Sequence, residues 1–130
     1  MYRLELSAGV DPVSTDTVVD SVIEAQALAM QLLKPDSVLI VTKMKHGVDH
    51  GEFLIFLNRM ELAYVRLLEH QGFHAARSQT AAGKTVRFVA DGCPFEVDEN
   101  ATIPRDVAME ALSYWLSTGQ KLTGLYWGVE

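Results

Sequence analysis

The side chains best suited to chemistry lie between His46 and Glu52. His46, Asp49, His50 and Glu52 carry nitrogen and oxygen atoms that could ligate a metal. Zinc sites need three or four ligands in a rigid arrangement, but these residues share a segment with two glycines and no cysteine pair completes the set. A solvated connection between strands is therefore favoured, and we predict no metal and no cofactor. A small α+β domain that binds a metal or ligand through the His46–Glu52 loop is the alternative.

The tripeptide Gly83-Lys84-Thr85 matches the end of a phosphate-binding loop. That motif needs a glycine five positions before its Gly-Lys pair, and Ser78 stands there. It also needs a helix afterwards, whereas residues 85–89 alternate in polarity as a strand does. The pattern predicts a hairpin tip.

A nucleophile is not indicated either. Cys93 lies in the acidic turn Asp91-Gly92-Cys93-Pro94, whereas reactive thiols lie in electropositive settings. Ser113 and Ser117 match no nucleophile motif. We therefore predict no catalytic residues and a protein that is not an enzyme.

Four carboxylates in one short, turn-rich stretch are a different kind of signal. Asp91, Glu96, Asp98 and Glu99 could lie on one edge of the fold. They could form an ordinary solvated surface. They could also bind a cationic protein, because complementary charge raises the association rate and selects the partner.

The whole-chain properties limit the classes of function. With 130 residues, we expect one domain spanning 1–130. The net charge of −6 argues against a nucleic-acid binder, which would present a basic surface. One cysteine cannot form an internal disulfide, and neither a signal peptide nor a membrane-spanning run is visible. We therefore expect a cytoplasmic protein without a membrane or nucleic-acid partner.

The first third of the chain predicts a strand followed by a helix. Tyr2, Leu4 and Leu6 alternate with polar residues, and a turn is predicted at residues 8–12. Residues 17–19 fit either a return strand or the start of the helix. Ser21 and Glu24 have capping-box spacing, and Pro35 ends the helix near residue 34. The apolar face of this helix is predicted to comprise Val22, Ile23, Ala27, Met30 and Leu33.

The middle of the chain is rich in apolar runs that suit strands. The predicted strands are residues 37–45, 53–57, 60–68, 73–78, 85–89 and 95–97, with turns near Asn58-Arg59 and Asp91-Gly92. The run Met60–Gln71 would also fit a helix. We favour a strand hairpin there because a buried strand candidate precedes it.

The segment 102–127 carries the clearest pattern. Pro104 suits a first helical turn, and Gly119 suits a helix end. Between them, an apolar face recurs at three- and four-residue steps, comprising Ala108, Ala111, Leu112, Trp115 and Leu116. A short strand is expected at residues 124–127. The predicted fold is α+β, with an antiparallel sheet of about five to six strands packed against an N-terminal and a C-terminal helix.

The same segment resembles immunity protein family one, the deaminase-inhibitor immunity proteins of bacterial polymorphic toxin systems. The resemblance rests on Ile103-Pro104, Ala108, Ala111-Leu112, Trp115-Leu116, Thr118-Gly119 and Leu125-Tyr126-Trp127, and the helix start Asp20-Ser21-Val22-Ile23 is also similar. Lys121-Leu122 departs from the Arg-Pro or similar pair that the family often has there.

The resemblance implies a non-enzymatic inhibitor that binds the toxic domain of a cognate effector, often a nucleic-acid deaminase, and blocks its active cleft. It assigns no binding role to particular residues here. A toxin that targets nucleic acid tends to be basic, and an acidic inhibitor would be steered to it. A monomer is favoured.

Overall fold

The computed structural model describes residues 1–8 and 15–130, which form ten β-strands, two α-helices and a 3-10 turn at Glu99–Ala101. The strands are β1 (Tyr2–Ala8), β2 (Thr15–Val19), β3 (Ser37–Lys45), β4 (Val48–Leu57), β5 (Leu62–Leu68), β6 (Gly72–Ala76), β7 (Thr85–Ala90), β8 (Cys93–Asp98), β9 (Ile103–Pro104) and β10 (Tyr126–Val129). The helices are α1 (Val22–Leu32) and α2 (Arg105–Thr118). The turn predicted at residues 8–12 falls mainly on residues outside this description.

The described strands form one large antiparallel sheet and a separate hairpin. The sheet has eight strands in the order β10-β6-β5-β4-β3-β1-β2, and β9 pairs with β5. The α+β class with an antiparallel sheet is therefore confirmed, whereas the predicted count of five to six strands is too low. Strand β9 is not among the predicted strands and residues 17–19 fit either a strand or a helix start, so β9 and β2 account for part of the difference. Strands β7 and β8 pair only with each other.

One face of the sheet and the two helices enclose the main core. Alternate residues of the central strands point to this face, so that β5 runs half-buried, buried, half-buried along its whole length. The buried cluster includes Leu39, Phe53, Val65 and Leu112. Trp115 of α2 is fully buried and packs on Phe53, with 5.5 Å between ring centroids.

Helix α2 has the apolar face that the sequence predicts. All five predicted residues are buried, and Gly119 ends the helix with φ 73° while its N–H donates to the Trp115 carbonyl. Pro104 was predicted in the first turn of α2 but is the residue before that turn. It belongs to β9, where it pairs with Leu62. The closing strand covers residues 126–129 instead of 124–127.

Helix α1 has the predicted cap but a different buried face. The Ser21 hydroxyl accepts a hydrogen bond from the Glu24 amide, as the capping-box spacing predicts. The predicted apolar face is wrong: although Leu33 is buried and Val22 packs against the core, Ile23, Ala27 and Met30 are exposed. The small residues Ala25 and Ala29 are fully buried in their place, so the backbone of α1 can lie close to the sheet.

The ambiguous run Met60–Gln71 contains a strand. Residues 62–68 form β5, which pairs along β4 from Leu57↔Ala63 to Glu52↔Leu68. The Asn58 side chain organises the preceding turn, since its Oδ1 accepts hydrogen bonds from the amides of Met60 and Leu62, each at 3.0 Å. Residues 15–19 are likewise a strand, β2, rather than the start of α1.

Candidate functional site

The β7–β8 hairpin is fixed to the sheet face opposite the helices by an aromatic cluster. Phe88 and Phe95 of the hairpin stack at 5.7 Å between centroids. Phe95 also meets Phe56 of β4 edge-on at 5.4 Å, and Phe88 lies 6.2 Å from Tyr64 of β5. Such aromatic pairs bury large areas in defined geometries. The hairpin that carries most of the predicted acidic patch is therefore held in one orientation.

Asp91 and Glu96 place their carboxylates on the outside of this hairpin. Asp91 lies in the turn with φ 53°, and its carboxylate accepts a hydrogen bond from the Ser7 hydroxyl of β1. Glu96 lies opposite Arg87 on β7 and is exposed, with its Oε2 3.3 Å from the Thr85 hydroxyl. Both positions can approach a partner protein.

The Asp98 carboxylate binds backbone amides of the loop beside it. It accepts hydrogen bonds from the backbone amides of Ala82, Gly83 and Asn100, at 2.9 to 3.1 Å. These donors, with Ala82 the strongest, lower the pKa of Asp98 because they stabilise its charged form. The carboxylate thus fixes the loop that leads from β6 to β7.

This geometry also corrects the prediction for Gly83-Lys84-Thr85. Gly83 has φ 79° and belongs to the connection between β6 and β7, two strands that do not pair, so it is not at a hairpin tip. The expected strand follows as β7.

The four predicted acidic residues are not brought into one cluster. Asp91 lies at the turn of the hairpin, whereas Asp98 and Glu99 lie at its other end, separated by a strand of six residues or about 20 Å. Glu99 is half-buried in the 3-10 turn, where its amide donates to the Lys84 carbonyl. Asp91 and Glu96 are thus the members whose carboxylates best suit contact with a partner.

The His46–Glu52 segment is mostly strand. His46 and Gly47 form a two-residue turn with φ of 54° and 76°, and β4 begins at Val48. The prediction of a loop over residues 46–51 is therefore wrong, because these residues continue the pairing of β3 with β4. Within the described residues, no group of three or more His, Cys, Asp or Glu side chains is placed to hold a metal ion.

A cleft of about 560 Å³ does form next to this segment. Asp49 and His50 of β4 line it together with Glu69, His70 and Phe73 from the β5–β6 connection and β6. Sequence reasoning missed Glu69 and His70, because they follow Glu52 by 17 and 18 positions. The pairing Glu52↔Leu68 brings the two segments together.

A second cleft, of about 460 Å³, lies between the hairpin and the sheet. Cys93 is exposed at its edge, and Tyr64, Arg66 and Glu130 line it. Arg66 binds the Glu130 carboxylate through two nitrogen atoms at 2.7 and 3.0 Å, which lowers the pKa of Glu130. Burial raises the pKa of Tyr64. The Arg66–Glu130 ion pair fastens the segment that follows the last strand to β5.

A third cleft, of about 810 Å³, is cationic. Arg59, Arg77 and Arg87 line it, beside Asp36 and Glu99. Arg59 binds Asp36 at 2.6 Å, and the Arg77 Nε donates to the Thr102 carbonyl at 2.7 Å. Two of the three guanidinium groups therefore help to hold neighbouring segments.

No protein-family model matches the chain, and no curated protein matches it. Within residues 1–8 and 15–130, neither helix has the length and apolar character needed to cross a membrane.

Proposed function

We propose that this chain is an immunity-type protein that binds a cognate toxin domain and neutralises it by covering the toxin's active cleft, without catalysis of its own. The proposed toxin is basic and acts on nucleic acid, with a nucleic-acid deaminase as the leading case. The proposed place of action is the cytoplasm. The resemblance of residues 102–127 to immunity protein family one supplies the class of function.

The observation that carries the proposal is the excess of surface carboxylate. The chain has 17 acidic residues against 11 Lys and Arg. In the described part, ion pairs engage Glu5, Asp16, Asp36, Glu61 and Glu130. Exposed carboxylates outside these pairs include Glu24, Glu96, Asp106 and Glu110. A surface of this kind attracts a basic protein and accelerates its association.

The rigidity of the scaffold also supports the proposal. Binding costs less conformational entropy when the contacting elements are already ordered. Here the aromatic cluster fixes the β7–β8 hairpin, and Asp98 fixes the loop next to it. Asp91 and Glu96 are thus presented on ordered backbone.

Co-expression tests the proposal directly. The product of the gene adjacent to the one for this chain is expressed alone and together with this chain, and we expect it to stop growth only when it is expressed alone. Equal killing in the two cases would show the proposal to be wrong.

The contribution of the hairpin is tested by association kinetics. The variant D91N/E96Q removes two charges and leaves the Asp98 hydrogen bonds intact, so the fold is preserved. We expect slower association with the toxin domain and a weaker dependence of the rate on salt. A matched control, D49N/E52Q, removes two charges from β4 instead. Equal rates for the two variants would show that the hairpin charges do not contribute to association.

A ligand-binding domain is the second candidate, and the cleft lined by His50 and His70 is the observation that favours it. Metal analysis of the purified protein and a titration with Zn²⁺ followed by the histidine NMR signals would test it. Shifts at both histidines at stoichiometric Zn²⁺ would support this candidate, and unchanged signals would contradict it.

A further inference from the structure

The two helices lie side by side and antiparallel on the sheet. Near the start of α1, the Gln26 side chain lies 3.4 Å from the Ser117 hydroxyl near the end of α2. Just beyond the end of α1, the Leu33 carbonyl accepts a hydrogen bond from Arg105 at the start of α2, at 2.9 Å. The outward sides of both helices therefore form one continuous surface.

An apolar stripe runs along the outward side of α1. Ile23 and Met30 are 78% and 66% exposed, and Ala27 between them is exposed as well. Their spacing of four and three residues places them in one row, about 120° around the helix from the buried row Ala25, Ala29 and Leu33. Gln26 lies between the two rows, on the side that meets α2. The stripe is thus an apolar part of α1 that stays exposed among the described residues.

The stripe lies in acidic surroundings. The two helices carry exposed carboxylates at Glu24, Asp106 and Glu110. Their only cationic residue is Arg105, which binds Glu61 at 3.1 Å and the Leu33 carbonyl. The surface therefore combines an apolar row with uncompensated negative charge.

We propose that the outward face of α1 and α2 is the docking surface for the basic toxin domain, with Ile23 and Met30 as its apolar anchors. This inference rests on the proposed function and assigns the direct contact to the helix face. The β7–β8 hairpin lies on the opposite side of the sheet, so Asp91 and Glu96 act on the same partner by long-range attraction. Apolar side chains at the centre of an interface, surrounded by complementary charge, are the usual source of its binding energy. Met30 is flexible and polarisable, which suits an irregular partner surface.

A second copy of this chain is the less suitable occupant. Two such faces packed together would bring Glu24, Asp106 and Glu110 close to the same carboxylates of the other copy. Like charges in this arrangement oppose association. A basic partner removes this repulsion and gains attraction from the same groups.

The test uses the double variant I23Q/M30Q. Glutamine has good helix propensity and both positions are exposed, so the melting temperature should stay within about 2 °C of the wild type. The control M60Q replaces a side chain that is 78% exposed in the β4–β5 connection. Binding of both variants to the toxin domain encoded beside this chain is measured by surface plasmon resonance.

We expect I23Q/M30Q to raise Kd at least tenfold, mainly through faster dissociation, and M60Q to leave Kd unchanged. If the toxin domain binds I23Q/M30Q as tightly as the wild type, the docking surface is wrong and the proposed function stands. If it does not bind the wild type at all, the proposed function is wrong and this inference falls with it. Sedimentation of the chain alone tests whether a second copy occupies this surface. A wild-type dimer that I23Q/M30Q converts to a monomer would also overturn the proposal.

Discussion

Lys43 of β3 contacts Trp115 of α2 in two ways. Its Nζ donates a hydrogen bond to the Trp115 carbonyl at 2.9 Å and lies 4.3 Å from the centroid of the Trp115 ring. The carbonyl belongs to the last turn of α2, where it also accepts the Gly119 amide and where a positive charge is favourable. Burial lowers the pKa of Lys43. One ammonium group thus stabilises the last turn of the helix and packs on the largest side chain of the core.

Lys43→Met should therefore destabilise the protein. Methionine keeps the apolar stem and loses the hydrogen bond and the cation–π contact, and we expect about 1–2 kcal/mol less free energy of unfolding. Urea denaturation measures the difference. Lys45→Met, at the exposed end of the same strand, is the control and should have no measurable effect. Equal stability of the two variants would mean that the contact with Trp115 contributes nothing.

Gly51→Ala should also destabilise the protein. Gly51 has φ +123°, and an added Cβ would lie 3.2 Å from Cζ2 of Trp115. Backbone strain and the close contact together should cost roughly 2–4 kcal/mol. Gly47→Ala separates backbone strain from the close contact. Gly47 also has a positive φ, +76°, but nothing lies within 4 Å of an added Cβ. A melting temperature as high for Gly51→Ala as for Gly47→Ala would show that Trp115 does not press on this position.

Trp115→Ala should have the largest effect of these substitutions. The side chain is fully buried among Phe53 and the strands of the sheet. Its removal leaves a large cavity, so we expect a loss of roughly 3–5 kcal/mol in the free energy of unfolding. Trp127→Ala is the comparison, because Trp127 is only half-buried. An unchanged melting temperature for Trp115→Ala would place this side chain at the surface.

Asp98→Asn should make the melting temperature depend less on pH in the acid range. The folded protein holds the pKa of Asp98 below its ordinary value of 3.8. A lowered pKa contributes stability that is fully present above pH 3.8 and is lost as the pH falls through the folded-state pKa. The melting temperature of Asp98→Asn should therefore lie below that of the wild type at pH 6, and the gap should narrow below pH 3.8. Glu96→Gln, on the same strand, is the control, and a constant gap for Asp98→Asn would contradict the role of the three amides.

The sequence alone predicted the elements whose signals are local. The face of α2 follows from its three- and four-residue spacing, and its end follows from Gly119, which has no Cβ to oppose a positive φ. The cap of α1 depends only on Ser21 and Glu24. Residues 62–68 fit both a strand and a helix by their own pattern, and the apolar run before them favours the strand.

Only the tertiary structure decided which of two apolar rows of α1 is buried. Ile23 and Met30 are more hydrophobic than Ala25 and Ala29, but the row with the smaller side chains is the one that packs against the sheet. The same holds for the carboxylates. Asp91, Glu96, Asp98 and Glu99 are close in sequence, yet a strand of about 20 Å separates the two ends of the group. Packing between distant segments determines which groups remain free for a partner, and that information is spread over the whole chain.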